Sequence, residues 1–205
     1  MVAYKLHYFE GIGGRAELIR FLLAYGEIPY EEVLIPMQEW PNHKANYPNG
    51  QVPVLEVDGK VLTQSLAIAR YFAKKLDLTG RDDWEAAQAD AFIGIIEDTI
   101  IVLKNKDLLM KMVMGNGNAS AAEITEALTP FLERLEKHLQ GTNGLNLVGN
   151  KLTWADFGVA DWFKRYSISV PALFDSFPAT KKFVDNVHEL PKIKEYVAKR
   201  TIKFF

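Results

Sequence analysis

The hydrophobic pattern changes period several times before residue 80 and then settles. Residues 3–9 form a short apolar and aromatic run that predicts a strand. Gly11-Ile12-Gly13-Gly14 predicts a turn. From residue 15 to 25 the period lengthens, with Ala16, Ile19, Leu22 and Leu23 on one helical face. Gly26 fits the end of that helix. Residues 30–35 predict a second strand. From Trp40-Pro41 to Tyr47-Pro48 the chain reads as a loop with one helical turn. Residues 52–57 predict a third strand, Asp58-Gly59 a hairpin, and residues 60–63 a fourth strand. Residues 65–76 predict a helix. A strand, helix, strand unit implies a parallel pair, and the hairpin adds an antiparallel edge. Residues 1–79 are therefore expected to form a small α/β domain.

Thr79-Gly80-Arg81-Asp82-Asp83 breaks the pattern as a linker. Beyond it strand signals largely vanish. Residues 84–114 read as one long helix, with Ala87, Ala91, Phe92, Ile95, Ile96 and Leu103 at helical spacing, and Gly115-Asn116-Gly117-Asn118 ends it. Residues 121–139 predict the next helix, with Pro130 an expected kink. After a loop over residues 141–150, Thr153 is expected to cap a helix through about residue 165. Thr153-Trp154-Ala155-Asp156 has the spacing of a capping box, a structural device. Two shorter helices are expected near residues 179–187 and 191–199. Residues 83–205 thus read as an all-α domain.

Composition narrows the function. The chain has 205 residues, 48% hydrophobic and 24% charged, enough for a real core. A net charge of −2 gives no electrostatic footprint for nucleic acid or an anionic membrane. No apolar run approaches the roughly 20 residues that span a bilayer. Met1-Val2-Ala3-Tyr4-Lys5 lacks the apolar core of a signal peptide, so a cytoplasmic localisation is expected. The absence of cysteine excludes disulfides, thiolate metal sites and a protein-borne thiol nucleophile. His7, His43, His138 and His188 are scattered without the spacing of a metal motif, and no metal is expected.

The chemically informative stretch is Gly50-Gln51-Val52-Pro53-Val54-Leu55. Proline at the start of a central-looking strand marks an edge or a special bond. It is either a trans proline at the strand's beginning or a cis Val52-Pro53 bond that turns the Val52 backbone outward. In the second case the Val52 N–H and C=O are able to pair with an extended peptide ligand. Gln64-Ser65 lies where the fourth strand meets the third helix. Ser65 fits the cap of a helix N-terminus there, and the N–H groups of that end favour a ligand carboxylate; the two roles are compatible.

Tyr8, Arg15-Ala16-Glu17, Trp40, Lys44, Gln51-Val52-Pro53 and Gln64-Ser65 together resemble the glutathione-binding domain of cytosolic glutathione transferases. Gln64-Ser65-Leu66-Ala67-Ile68-Ala69-Arg70-Tyr71 is similar to the sigma class, which includes haematopoietic prostaglandin D synthase and the S-crystallins of cephalopod lens. Asp58-Gly59 and Thr153-Trp154-Ala155-Asp156-Phe157 extend the resemblance over the whole chain. It implies an α/β thioredoxin-like N-terminal domain followed by an all-α C-terminal domain, a homodimer, and glutathione as co-substrate. With no cysteine in the chain, the thiol at such a site must come from the ligand.

The resemblance places Tyr8 at the catalytic position. A cysteine-type thiol with a pKa of about 8.5 is only a few per cent ionised at neutral pH. Lowering it by about two units takes roughly 2.7 kcal/mol of thiolate stabilisation. One hydrogen bond from a phenol to an anion supplies about 1.5–3 kcal/mol. A tyrosine with a pKa of about 10 keeps its proton and acts as donor. By the same resemblance Arg15 adds positive charge near the thiolate. Trp40 and Lys44 meet the glycyl end of glutathione, Lys44 through the carboxylate. Asp98 reaches the partner subunit's site to pair with the γ-glutamyl ammonium. The electrophile pocket is expected to draw on Phe9, Ile12, Gly14, Met110, Met114 and Phe205, an apolar and adaptable set.

Departures from the pattern bear on substrate. Glu10-Gly11-Ile12-Gly13-Gly14 is one residue longer than in sigma relatives and lacks their basic residue. Gly94 stands at a position that resembles a metal-binding aspartate of prostaglandin D synthase, and Ile101-Val102-Leu103-Lys104 offers no tryptophan for that enzyme's aromatic wall. Conjugation of glutathione to apolar electrophiles is the expected activity. Prostaglandin H2 isomerisation and a non-enzymatic, crystallin-like role are the alternatives.

Overall fold

The computed structural model describes residues 2–108, 111, 119–142 and 144–201. Two compact units result. The first comprises residues 2–77 together with residues 191–201. The second runs over residues 78–190.

The first unit is built on four strands, β1 (Tyr4–Phe9), β2 (Glu31–Ile35), β3 (Val54–Val57) and β4 (Lys60–Thr63), in the order β2-β1-β3-β4. β1 runs parallel to β2, with Tyr8 opposite Leu34, and antiparallel to β3, with Leu6 opposite Leu55. The β3–β4 hairpin completes the sheet. The mixed sheet is therefore the one the period changes predict. Alternation along β1 buries Tyr4, Leu6 and Tyr8, while Lys5, His7 and Phe9 on the opposite face are half-buried.

Helices α1 (Glu17–Tyr25) and α3 (Ser65–Lys75) supply the core of this unit, with Ile19, Phe21, Leu22, Leu23, Ile68 and Phe72 fully buried. Gly26 ends α1 as expected, but for a different reason from a left-handed cap. Its φ is −83°, and the left-handed residue is Glu27 at +49°. A Cβ on Gly26 would sit 2.3 Å from Leu76 Cδ2, so a side chain there would have to displace Leu76 at the end of α3. The stretch 37–50 holds the short helix α2 (Trp40–His43) between 3-10 turns.

The last helix, α8 (Pro191–Lys199), belongs to this first unit and packs on α1. Tyr196 meets the Phe21 ring edge-on at 5.7 Å, and Lys192 pairs with Glu27 at 2.5 Å. The sequence pattern had grouped those residues with the helical half. Nothing in their own periodicity says which core they join.

The second unit is helical: α4 (Asp83–Asn105), α5 (Ala121–Gln140), α6 (Trp154–Ser169) and α7 (Pro178–His188). The helix expected to continue to residue 114 stops at Asn105, where Asp107 takes a left-handed φ of +55°. α6 is central, packing on α4 and α7, with Trp154, Phe157, Phe163 and Tyr166 fully buried. Trp162 Nε1 donates to Thr99 Oγ1 on α4 at 2.7 Å, which satisfies a buried indole.

Helix starts in this unit are capped by side chains. Asp82 accepts from the Glu85 N–H at α4, and Ser120 with Glu123 forms a capping box at α5. At α7 the cap comes from another helix. Glu136 on α5 accepts the N–H groups of Ala179 and Thr180 at 3.0 and 2.8 Å and the Thr180 hydroxyl at 2.9 Å. Burial works against this carboxylate, and the donors outweigh it, holding its pKa below the usual range. The Thr153–Asp156 box is present at α6. Asp156 is fully buried and accepts from the Thr153 N–H at 2.6 Å, the Thr153 hydroxyl at 3.0 Å and the Leu147 N–H at 2.7 Å. Burial nevertheless pushes its pKa up to about 6. Among the described residues no helix is long and apolar enough to cross a membrane.

Candidate functional site

Tyr8 ends β1's buried face, at 5% exposure. Its hydroxyl oxygen accepts the Arg15 N–H at 2.9 Å. The turn that delivers this N–H is short. Gly14 carries a φ of +45°, and a Cβ there would lie 2.3 Å from the Tyr8 oxygen. Only glycine fits the position for both reasons. Gly14 is thus the position against which the phenol is set. The Arg15 side chain is exposed, at the 3-10 turn (Gly14–Ala16) that leads into α1.

One charged residue that the sequence reading passed over is central here. Arg20, 1% exposed, lies on the buried side of α1 with its guanidinium 5.6 Å from the Tyr8 ring centroid. Its Nη1 donates to Ile12 O at 3.0 Å, Gly13 O at 3.4 Å and Glu17 Oε2 at 3.2 Å, and its Nε to Glu32 Oε1. Burial disfavours the charge, but the Glu32 and Glu17 carboxylates outweigh it and raise the pKa. A signal was available: Arg20 sits inside the apolar run Leu18-Ile19-Arg20-Phe21-Leu22-Leu23, three residues after Glu17.

On the opposite sheet face, half-buried Trp40 meets Phe9 edge-on at 5.2 Å and Tyr47 at 5.6 Å. Phe9, expected at the electrophile pocket, is thereby placed with Trp40. Tyr47 hydrogen-bonds His7 Nδ1 through its hydroxyl at 3.1 Å, and His7 Nε2 pairs with Glu56 at 2.9 Å. Lys44 is exposed, and its stem passes Gly50, where a Cβ would come within 3.0 Å of Cε. Lys44 thus lies beside the Gly50-Gln51-Val52 stretch.

The Val52-Pro53 bond is cis, and β3 begins one residue later at Val54. Gln64 takes the N-cap position of α3 with φ +70° and ψ +114°, a sparsely populated conformation for any residue but glycine. It makes no side-chain cap bond, and Ser65 is the first helical residue rather than the cap. The contrast with α4, α5, α6 and α7 is direct: their first N–H groups have side-chain acceptors, and those of α3 have none from Gln64.

Asp98 is exposed on α4, and Gly94 on the same helix has open space at its missing Cβ. Ile12 is half-buried in the loop before Arg15. Met110, Met114 and Phe205 lie outside the described residues. No group of three or more acidic or histidine side chains arranged for a metal occurs among the described residues.

The first unit thus offers a phenol, a helix start without a side-chain cap from Gln64, a lysine and the backbone ahead of a cis proline. Comparison with known proteins gives the family. The family model described as glutathione S-transferase, N-terminal domain, matches residues 4–74, and that described as glutathione S-transferase, C-terminal domain, matches residues 106–200. The chain is 35% identical to a glutathione S-transferase of Anopheles gambiae and 37% identical to hematopoietic prostaglandin D synthase of Mus musculus, over 98% of this chain and of each relative. Among solved structures, that of monomeric Na-GST-3 from the hookworm Necator americanus superposes with a TM-score of 0.89 at 33% identity, over 99% of this chain and 100% of that one. The chain belongs to the glutathione S-transferase family, and it is an enzyme of that family with glutathione as co-substrate.

Proposed function

We propose that this transferase conjugates glutathione to apolar electrophiles, with the Tyr8 hydroxyl as hydrogen-bond donor to the thiolate. The observation that carries the reading is the 2.9 Å bond from the Arg15 N–H to the Tyr8 oxygen. That N–H takes up an acceptor site of the oxygen and polarises the O–H, which makes the phenol a better donor to sulfur. Arg15, in the same turn, adds positive charge.

The rest of the tripeptide has its partners on the same unit. Val52, ahead of the cis Pro53, pairs with the cysteinyl backbone, and Gln51 lies beside it. Gln64, Ser65 and the start of α3 receive the γ-glutamyl carboxylate, supported by the absence of a side-chain cap from Gln64 and by the helix dipole. Trp40 and Lys44 bind the glycyl end. Ile12 and Gly14 border the sulfur on its electrophile side. Placement in the sigma class, a cytoplasmic location and a role in detoxication are part of the same proposal.

The likeness to prostaglandin D synthase supports a second reading, isomerisation of prostaglandin H2 with glutathione as cofactor. A panel of aryl halides, isothiocyanates, hydroperoxides and prostaglandin H2, each with and without glutathione, separates the two. Glutathione-dependent turnover of aryl halides and isothiocyanates is expected to dominate. Turnover confined to prostaglandin H2 would replace the reading with the isomerase. Glutathione binding without any turnover would replace it with a crystallin-like role.

The chain is further proposed to form a homodimer in which Asp98 completes the partner's glutathione site. Because Asp98 is exposed in its own chain, Asp98→Asn should weaken glutathione binding by about 1 kcal/mol, roughly fivefold. Sedimentation should show the dimer intact. Unchanged affinity, or a wild-type protein that sediments as a monomer like the hookworm relative, would overturn the composite site.

A further inference from the structure

Arg20 is one of four clustered charges that balance, two arginines against two glutamates. Glu17 is 1% exposed, the Arg200 side chain 6% and the Glu32 side chain 28%. Such a cluster is not an efficient way to stabilise a fold, because each buried ion must recover its hydration. Apolar residues would serve α1 as well. What an apolar residue would not do is donate hydrogen bonds to two loop carbonyls. Arg20 Nη1 makes those bonds to Ile12 and Gly13, the two residues that precede Gly14 and the Arg15 N–H.

The cluster does not end with Arg20. Glu17 Oε2 faces Arg20, while Glu17 Oε1 accepts from the Tyr196 hydroxyl at 3.0 Å and from Arg200 Nη1. Both of those donors come from α8 and the residue just after it. Arg200 also lies over the Phe21 and Tyr196 rings, at 5.9 and 6.0 Å. A continuous chain of polar contacts therefore runs from the C-terminal helix, through Glu17 and Arg20, to the loop that holds the phenol.

We infer that Arg20 is a positioning residue for the Tyr8 hydroxyl, and that Arg200 and Tyr196 set how firmly it grips the Ile12–Gly13 carbonyls by fixing Glu17. This rests on the proposed role of Tyr8. The physical reason is geometric. The Arg15 N–H meets the Tyr8 oxygen only while the preceding two peptides are held, and Gly14 leaves the turn free to shift if they are not. Loss of Arg200 leaves Glu17 with one cation fewer, so its carboxylate turns more strongly onto Arg20 Nη1 and competes there with the Ile12 and Gly13 carbonyls. The loop then loosens, and the phenol's hydrogen bond to the sulfur lengthens. None of these residues needs to touch glutathione.

The test uses the full-length protein and two substitutions at some distance from the phenol, Arg200→Gln and Arg20→Lys. The readouts are the pKa of bound glutathione by ultraviolet thiolate titration, the dissociation constant for glutathione, and thermal stability. Arg200→Gln should raise the thiol pKa enough to lower the thiolate fraction at neutral pH about threefold, with glutathione affinity changed less than twofold. Arg20→Lys, which keeps the charge but not the fork of donors, should lower that fraction about tenfold. In combination with Tyr8→Phe neither should produce a further shift, since both act through the phenol. A loss of thermal stability in Arg200→Gln with an unmoved thiol pKa would make the network purely structural and overturn the inference. If Tyr8→Phe itself leaves the thiol pKa unmoved, the underlying role of Tyr8 fails instead, and the two failures are told apart.

Discussion

Tyr8→Phe should raise the pKa of bound glutathione by about one to two units, on the order of 1.4–2.7 kcal/mol of lost thiolate stabilisation. The substitution removes one hydroxyl and keeps the ring, so the buried face of β1 remains filled. Glutathione affinity should fall little, because the proposed carboxylate and ammonium contacts lie at Lys44, at the start of α3 and at Asp98, away from the sulfur. Conjugation rates near neutral pH should then fall by about one to two decades, as the thiolate fraction does, and recover at higher pH. The pH profile distinguishes this from general damage, which would lower the rate at every pH. A thiol titration unchanged in the variant would transfer the activation to Arg15, whose side chain is exposed at the same turn. In the wild type the Arg15 N–H bonds the phenol oxygen. In the variant it loses that acceptor, so part of the measured cost is an N–H left to find another partner.

The sheet was legible because its strands differ in period from the helices between them. β1, β2, β3 and β4 fall within two residues of where alternation and the Asp58-Gly59 turn put them. The candidate residues stand out in the sequence for a different reason: they cluster at element ends, where Tyr8 is the last residue but one of β1, Ser65 opens α3, and Val52-Pro53 precedes β3. Three features were not legible. Arg20 looks like a surface residue by type, and its burial follows only from tertiary partners, Glu32 on β2 and the carbonyls of Ile12 and Gly13. The attachment of α8 to the first unit depends on Tyr196 and Arg200 finding Glu17, about 180 residues away in sequence. The cap of α7 by Glu136 also joins distant parts of the chain, with Thr180 lying 44 positions after Glu136. Local periodicity carries no information about any of these long-range polar contacts, whereas local boxes such as Ser120–Glu123 and Thr153–Asp156 are written into the sequence spacing.

Asp156→Asn should destabilise the second unit by about 2–4 kcal/mol near neutral pH, since it exchanges one of two buried acceptors for a donor. The Leu147 N–H on Oδ1, and the Thr153 N–H and hydroxyl on Oδ2, all require acceptors. An amide supplies one oxygen and sets its NH2 against the other donors, whereas a neutral carboxyl keeps lone pairs on both oxygens. The pH dependence of the loss follows from the raised pKa. The unfolded carboxyl titrates at about 3.9, and the native one at about 6. The native state then binds the proton more tightly, so protonation of Asp156 stabilises the fold. That contribution is complete below about pH 4 and is lost as the pH rises through about 6. Asparagine has no such titration. The gap in unfolding free energy between wild type and variant should therefore widen by roughly 1 kcal/mol on going from about pH 7.5 to about pH 5. Glu136, whose pKa is shifted the opposite way, is common to both proteins and cancels in the difference. Urea unfolding of the two proteins at both pH values measures it. A gap that narrows on acidification would mean that the three donors, and not burial, control this carboxyl, and that it stays ionised inside the helix start.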